Sequence, residues 1–219
     1  MKTMFSKTLK VLSAVALFGA LSANAFNEGE DYIVLDKPLS VEKGTLTKVF
    51  SYACPFCYKY DKSVTPAVVK KVEGLKYEPF HLKTKANEHG EGETASKLLA
   101  VAVVKDRAAN KDLFADDSLF KKVKMAYYKS YHDKKQRFSS ADEFLKLGLD
   151  ASGISKEDYE KELANPEVVE LLKKWEESYD VAKIQGVPAF VVNGKYLIYT
   201  AKITSIDGMA NLIKELIAK

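Results

Sequence analysis

The hydrophobic period of this chain changes twice, and that limits the folds open to it. Asp31–Leu35 and Thr45–Tyr52 have the spacing of strands, with Leu46, Lys48, Phe50 and Tyr52 on one face of the second. Leu75–Leu82 reads as a third strand, and Pro79 inside it favours an edge position. A long stretch of helical character follows. Leu98, Leu99, Ala102 and Val103 share one side of a helix over 94–107, and Phe120, Val123 and Tyr127 recur over 117–132. Shorter helices hold Phe144 with Leu149 and Tyr159 with Leu163, and a longer one opens at Pro166 and runs through Tyr179. Strand character then returns. Val187–Tyr199 is two apolar runs joined by Asn193-Gly194, the strongest short hairpin signal. A last helix carries Leu212, Ile213, Leu216 and Ile217. The order β, β, α, β, helices, hairpin, α predicts an α/β fold. A strand–helix–strand unit and a hairpin–helix unit share one sheet, and the helices between them are inserted. The expected bounds are 26–87 and 182–219 for the sheet unit and 88–181 for the helical insert.

Before the first strand stand three lysines, Lys2, Lys7 and Lys10, an apolar run from Val11 to Leu21, and small residues at Ala23 and Ala25. This is the pattern of a secretory signal peptide cleaved after Ala25. The run is too short for the roughly 20 residues that span a bilayer. Those lysines hold three of the chain's formal net charge of +4, so the rest is close to neutral. No nucleic-acid site is expected of it.

Cys54 and Cys57 are the only cysteines. Three readings compete. A zinc site needs four ligands, or three and a water, and the histidines His81, His89 and His132 are not spaced to complete one. His81 should end a strand; His89 and His132 should lie in solvated loops or helix ends. A structural disulfide across so short a loop would contribute only about 2 kcal/mol and would join no separate elements. The third reading is a redox pair. Cys54 falls where a strand ends and a helix begins, where unpaired N–H groups and the helix dipole favour a thiolate. Cys57 lies one turn further along, placed to close a disulfide with it. In an exported chain, disulfides form and persist.

The segments that carry this chemistry resemble a family. Phe50–Asp61, "FSYACPFCYKYD", is similar to the active-site segment of the DsbA family of periplasmic thioredoxin-fold oxidoreductases. Gln185–Tyr196, "QGVPAFVVNGKY", resembles that family's cis-proline loop and following hairpin. The resemblance implies a thioredoxin fold, a central mixed β-sheet flanked by helices, with an inserted all-helical domain. It implies that Cys54 is the nucleophile and Cys57 the resolving partner of a redox-active disulfide, supported by Pro55, Phe56 and Pro188. Val187 and the cis-proline Pro188 would bind an extended client segment by strand addition. Tyr58 and Tyr60, with Phe56, would line an apolar client groove or, alternatively, pack the helix.

The implied function is oxidation of cysteine pairs in exported proteins, in the periplasm, by a monomer. The partners would be unfolded clients and a quinone-linked inner-membrane reoxidant of the DsbB type, with no small-molecule cofactor and no metal. Rival readings are a reductase or isomerase on the same fold, or a redox-inactive chaperone. Isomerases of this kind usually carry an N-terminal dimerisation domain, for which there is no room ahead of the first strand. Two positions depart from the family's best-known member. Lys48 stands where that protein has a buried glutamate, so it would either support the Cys54 thiolate or snorkel to solvent. Phe56 stands where the strongest oxidants have histidine, so the expectation is a milder oxidant; a Cys–Pro–Phe–Cys site also occurs in the family's DsbL branch.

Overall fold

A computed structural model describes residues 26–83 and 89–219. The expected signal segment and the 87/88 boundary lie outside these residues. Among the described residues five strands form one mixed sheet: β1 (Tyr32–Val34), β2 (Thr45–Phe50), β3 (Lys76–His81), β4 (Ala189–Val192) and β5 (Tyr196–Ile198), in the order β1-β5-β4-β2-β3. Only β2 and β3 are parallel. A parallel pair needs a crossover, which α1 (Pro55–Lys62) and α2 (Val64–Lys71) supply. β3 is an edge strand, where Pro79 can withhold its missing N–H from a ladder. β2 has partners on both sides and is buried along its whole length. Three residues, 193–195, turn the β4–β5 hairpin; Asn193 and Gly194 take left-handed φ of 54° and 67°, and the Lys195 N–H closes the turn on the Val192 carbonyl at 2.9 Å.

The crossover breaks at Ser63, ahead of Pro66. Pro66 has no N–H for the Lys62 carbonyl and its ring crowds that group, so α1 ends a turn before the proline. Pro66 itself stands in the first turn of α2, where the missing donor costs little.

Between β3 and β4 lie α3 (Glu91–Ala108), α4 (Leu119–Tyr128), α5 (Ala141–Ser152), α6 (Lys156–Glu162), α7 (Pro166–Trp175) and α8 (Ser178–Gln185). Ser118, Ser140, Ser155 and Asn165 each accept an N–H bond at a helix start. α3 is the hub, packed against α4, α5 and α7. The packing is close: a β-carbon on Gly148 would lie 2.5 Å from both Leu98 Cδ2 and Tyr127 Oη. α8 crosses residue 181 and packs on β2 and β4.

Two helices differ from the periodic reading. The one that opens at Pro166 stops at Trp175 and restarts at Ser178. At the junction the Glu177 carboxylate accepts bonds from Ser40 N and Oγ, at 2.7 and 2.6 Å. The helix expected to reach His132 gives way after Tyr128 to a π-helical turn, Lys129–Asp133.

Apolar side chains cover both faces of the sheet. Ala189 and Val191 of β4 pack toward the helical stretch with Val49 and Phe80, while Phe190 and Val192 pack with Leu46 against α2 and α9 (Ile206–Ala218). The two faces of one strand thus serve two cores, as the period of two requires.

Candidate active site

The central strand β2 delivers the chain to the cysteine pair. Cys54 is the N-cap of α1 and Pro55 its first residue, a position that needs no N–H. The Cys57 backbone N–H donates to Cys54 Sγ at 3.2 Å. The sulfur therefore does the work of a capping oxygen, at the positive end of the helix. Cys54 is partly exposed and Cys57 fully buried. Both are free thiols.

These settings drive the two thiols apart in acidity. A hydrogen bond from the Cys57 thiol is the largest influence on Cys54. Burial opposes it, and the Cys57 and Phe56 N–H groups and the Lys48 charge add to it. The net effect lowers Cys54 to about 7. Burial, then the thiol's bond to Cys54, push Cys57 well above its ordinary range. Thiolate absorbance near 240 nm in the reduced protein should therefore titrate with a midpoint near 7, the thiolate being lost as pH falls through that value. A midpoint at the ordinary cysteine value of about 8.5 would contradict this geometry.

Facing Cys54 is the loop that enters β4. The Val187–Pro188 peptide is cis. The Cys54 thiol donates to the Val187 carbonyl at 3.2 Å. Once Cys54 ionises it has no proton to donate, and that carbonyl is released for another donor. Pro188 is buried and Val187 partly so.

The aromatic residues of the motif separate by role. Phe56 is 63% exposed beside the sulfur. Tyr58 is buried, stacked on Tyr128 and His132 at 5.0 and 5.7 Å, and its hydroxyl donates to Asp133 at 2.7 Å. Tyr60 packs on Phe190. Tyr58 and Tyr60 are therefore packing residues, and Phe56 alone of the three presents a large exposed ring.

Lys48 does not snorkel. Its side chain is fully buried and ion-paired with Asp61 at 2.8 Å. Solvent lies beyond α1 and α2 on this face, and Asp61 supplies the counter-ion within reach. His132 does lie at a helix end, but not a solvated one: its Nε2–H donates to the Tyr52 carbonyl at 2.8 Å, two residues before Cys54. His81 ends β3 as expected and is buried; its Nε2 accepts from the Tyr52 N–H at 3.4 Å. The Tyr52 peptide is thus held from both sides. Burial pushes His81 down to about 3, which keeps it neutral and able to accept.

Sequence reasoning missed Asp61, His132 and Lys124, whose Nζ reaches the same Asp61 oxygen as Lys48, at 3.1 Å. A signal existed for Asp61 alone: an acid one helical turn after Cys57 is a counter-ion for Lys48 if that lysine stays buried. His132 could not be found this way, because the π turn shifts the helix face it occupies.

One thiol near its point of ionisation beside another held neutral can cycle between dithiol and disulfide, and on this sheet that defines a thiol:disulfide oxidoreductase of the thioredoxin fold. Residues 45–214 match the DSBA-like thioredoxin domain family, and the chain belongs to it. It is 55% identical to the thiol:disulfide interchange protein DsbL of Escherichia coli O6:H1 (strain CFT073), over 97% of this chain and 96% of that one. It is 32% identical to the thiol:disulfide interchange protein DsbA of Salmonella typhimurium (strain LT2), over 85% and 83%. The crystal structure of DsbL from Salmonella enterica serovar Typhimurium superposes with a TM-score of 0.86 at 56% identity, covering 90% of this chain and all of that one.

Proposed function

We propose that this oxidoreductase acts as an oxidant through Cys54 and Cys57, with Cys54 as the sulfur that clients attack and Cys57 as its resolving partner. The observation that carries the assignment is the contrast between them: Cys54 is the partly exposed helix cap lowered to about 7, and Cys57 is buried and raised. The more acidic thiol is the better leaving group and the accessible one. Stabilising its thiolate stabilises the reduced protein, which makes the disulfide oxidising; each unit of lowering is worth about 30 mV.

A client lies along Val187 and Pro188, with the Val187 backbone as its partner in strand addition. Phe56 and the half-exposed Ile184, three residues before Val187, offer apolar contact to its side chains. Residues 88–181 form the inserted helical domain, whose π turn braces the active-site loop through His132 and α1 through Asp133. The setting is the periplasm, reached with a signal peptide cleaved after Ala25. The clients are exported proteins with cysteine pairs, the chain acts as a monomer, and a DsbB-type quinone-linked membrane protein reoxidises it. Among the described residues no helix is long and apolar enough to cross a membrane.

The test is stoichiometric. Oxidised protein is mixed with a reduced, unfolded secreted domain, and free client thiols are counted with time. Each oxidised chain should remove two client thiols and become a dithiol. Client thiols that persist at the level of a protein-free control would refute the oxidant reading.

A further inference from the structure

The turn that follows α4 grips both flanks of the cysteine motif. It is a single π-helical turn, Lys129–Asp133, closed by the Lys134 N–H on the Lys129 carbonyl at 3.0 Å. A turn of this kind is wider than an α-helical one, so the side chains after it face a new direction. His132 and Asp133 are the two that turn to the active site. The His132 Nε2–H donates to the Tyr52 carbonyl at 2.8 Å, two residues before Cys54. Asp133 Oδ2 accepts from the Tyr58 hydroxyl at 2.7 Å, one residue after Cys57. The His132 ring lies 5.7 Å from that of Tyr58 and nearly parallel to it, and meets the Tyr131 ring edge-on at 5.0 Å.

This leaves the backbone before Cys54 little freedom. The Tyr52 N–H goes to His81 Nε2 at 3.4 Å and the Tyr52 carbonyl to His132. The Ala53 N–H meets Ser51 Oγ at 3.3 Å, and the Cys54 N–H closes the turn on the Ser51 carbonyl at 3.1 Å. Only the torsions of Ala53 and Cys54 separate the held carbonyl from Cys54 Sγ. That sulfur has to meet the Cys57 N–H and the Val187 carbonyl, each at 3.2 Å. Ring packing alone does not require a histidine at 132, since a phenylalanine would fill the same stack. What the histidine adds is the donor. Burial pushes it below its ordinary value, so the ring is neutral at pH 7, and the Tyr52 carbonyl, which can only accept, fixes the proton on Nε2.

We propose that His132 is a positioning residue for the exchange reaction: it holds the Tyr52 carbonyl and so keeps Cys54 Sγ seated at the start of α1, where that sulfur leaves as a thiolate. This rests on the reading of Cys54 and Cys57 given above. In the exchange a client thiol gives its proton to solvent and attacks Cys54 Sγ. The client–Cys54 bond forms, the Cys54–Cys57 bond breaks, and its electron pair goes to Cys57 Sγ, which takes up a proton. The client's second thiol gives its proton to solvent and attacks the client sulfur of the mixed disulfide. The client disulfide forms, and Cys54 leaves with the electron pair. This last step gains from the Cys57 N–H only if the sulfur is already in place as the bond breaks.

Two substitutions separate the donor from the ring. His132→Phe keeps the ring and loses the donor, whereas His132→Gln gives up the ring and keeps an N–H that can reach the same carbonyl. The full chain and both variants are equilibrated with glutathione buffers, and their Cys54 thiolate absorbance is titrated. His132→Phe should shift the equilibrium at least about threefold toward the disulfide, within the worth of one hydrogen bond, and should raise the Cys54 midpoint. His132→Gln should stay within about twofold of the parent. An unmoved equilibrium in His132→Phe, or an equal shift in His132→Gln, would overturn the proposal and leave His132 a packing residue. Should His132→Phe not fold, His132→Leu also removes the donor and is held to the same outcomes. A parent protein with no glutathione equilibrium would instead sink the exchange reading beneath it.

Discussion

Cys54→Ser should bring thiol–disulfide exchange down to the uncatalysed rate while leaving the fold in place. The reason for the first half is chemical: a hydroxyl cannot form the mixed disulfide, and Cys57 is buried too deeply to substitute. The second half follows from the helix cap. Cys54 Sγ accepts the Cys57 N–H, and serine is a better cap than cysteine. The cost in stability should be about 1 kcal/mol or less. Cys57→Ser should behave differently. Cys54 remains attackable as a mixed disulfide, but no resolving thiol stands one turn away, so client adducts should accumulate. Insulin reduction and mass spectrometry of the trapped adducts check the pair. Equal turnover by the parent and Cys54→Ser would remove the enzyme reading.

The largest effect on stability should come from a residue outside the motif. Asp61→Asn leaves the Lys48 and Lys124 ammoniums buried without a counter-ion. Breaking a buried pair in this way costs about 3–5 kcal/mol, and here two cations lose their partner at once. Urea unfolding should show a lowered midpoint with an unchanged slope. Adding Lys124→Met to Asp61→Asn should recover part of the loss, because one of the stranded charges is then gone. The pH dependence has a definite sign. Burial alone would raise the Asp61 carboxyl, but Lys124, Lys48 and the Tyr128 hydroxyl hold it below its ordinary value. Its contribution is therefore complete above the unfolded value of about 3.9 and is lost as pH falls through the lower folded value. The parent should lose that contribution in acid, and Asp61→Asn should not.

The elements that sequence revealed are those set by short-range rules. Asn193-Gly194 demanded a hairpin because both residues must take positive φ, and they do. Pro79 pointed to an edge because proline cannot serve a central ladder, and β3 is the edge. The cysteines were legible because strand, turn and helix start are consecutive in the chain. The fate of Lys48 was not legible. Whether a lysine on an apolar face reaches solvent or an acid depends on which helices cover it, and α1, α2 and α4 come together there only in the folded chain. The same holds for His132. Its contact with Tyr52 spans 80 positions and depends on a π turn that periodicity cannot register. Phe56 and Lys48, the two departures from the family's best-known member, act in different ways. The first withholds a polar neighbour from Cys54, and the second supplies a buried cation from below.

The reduction potential of the Cys54–Cys57 couple tests the central claim most directly. Equilibration of the full chain with glutathione, followed by thiol trapping, should place it well above the value of about −270 mV that characterises thioredoxin, in the range of protein oxidants. A potential at or below about −270 mV would make the chain a reductant and contradict the account.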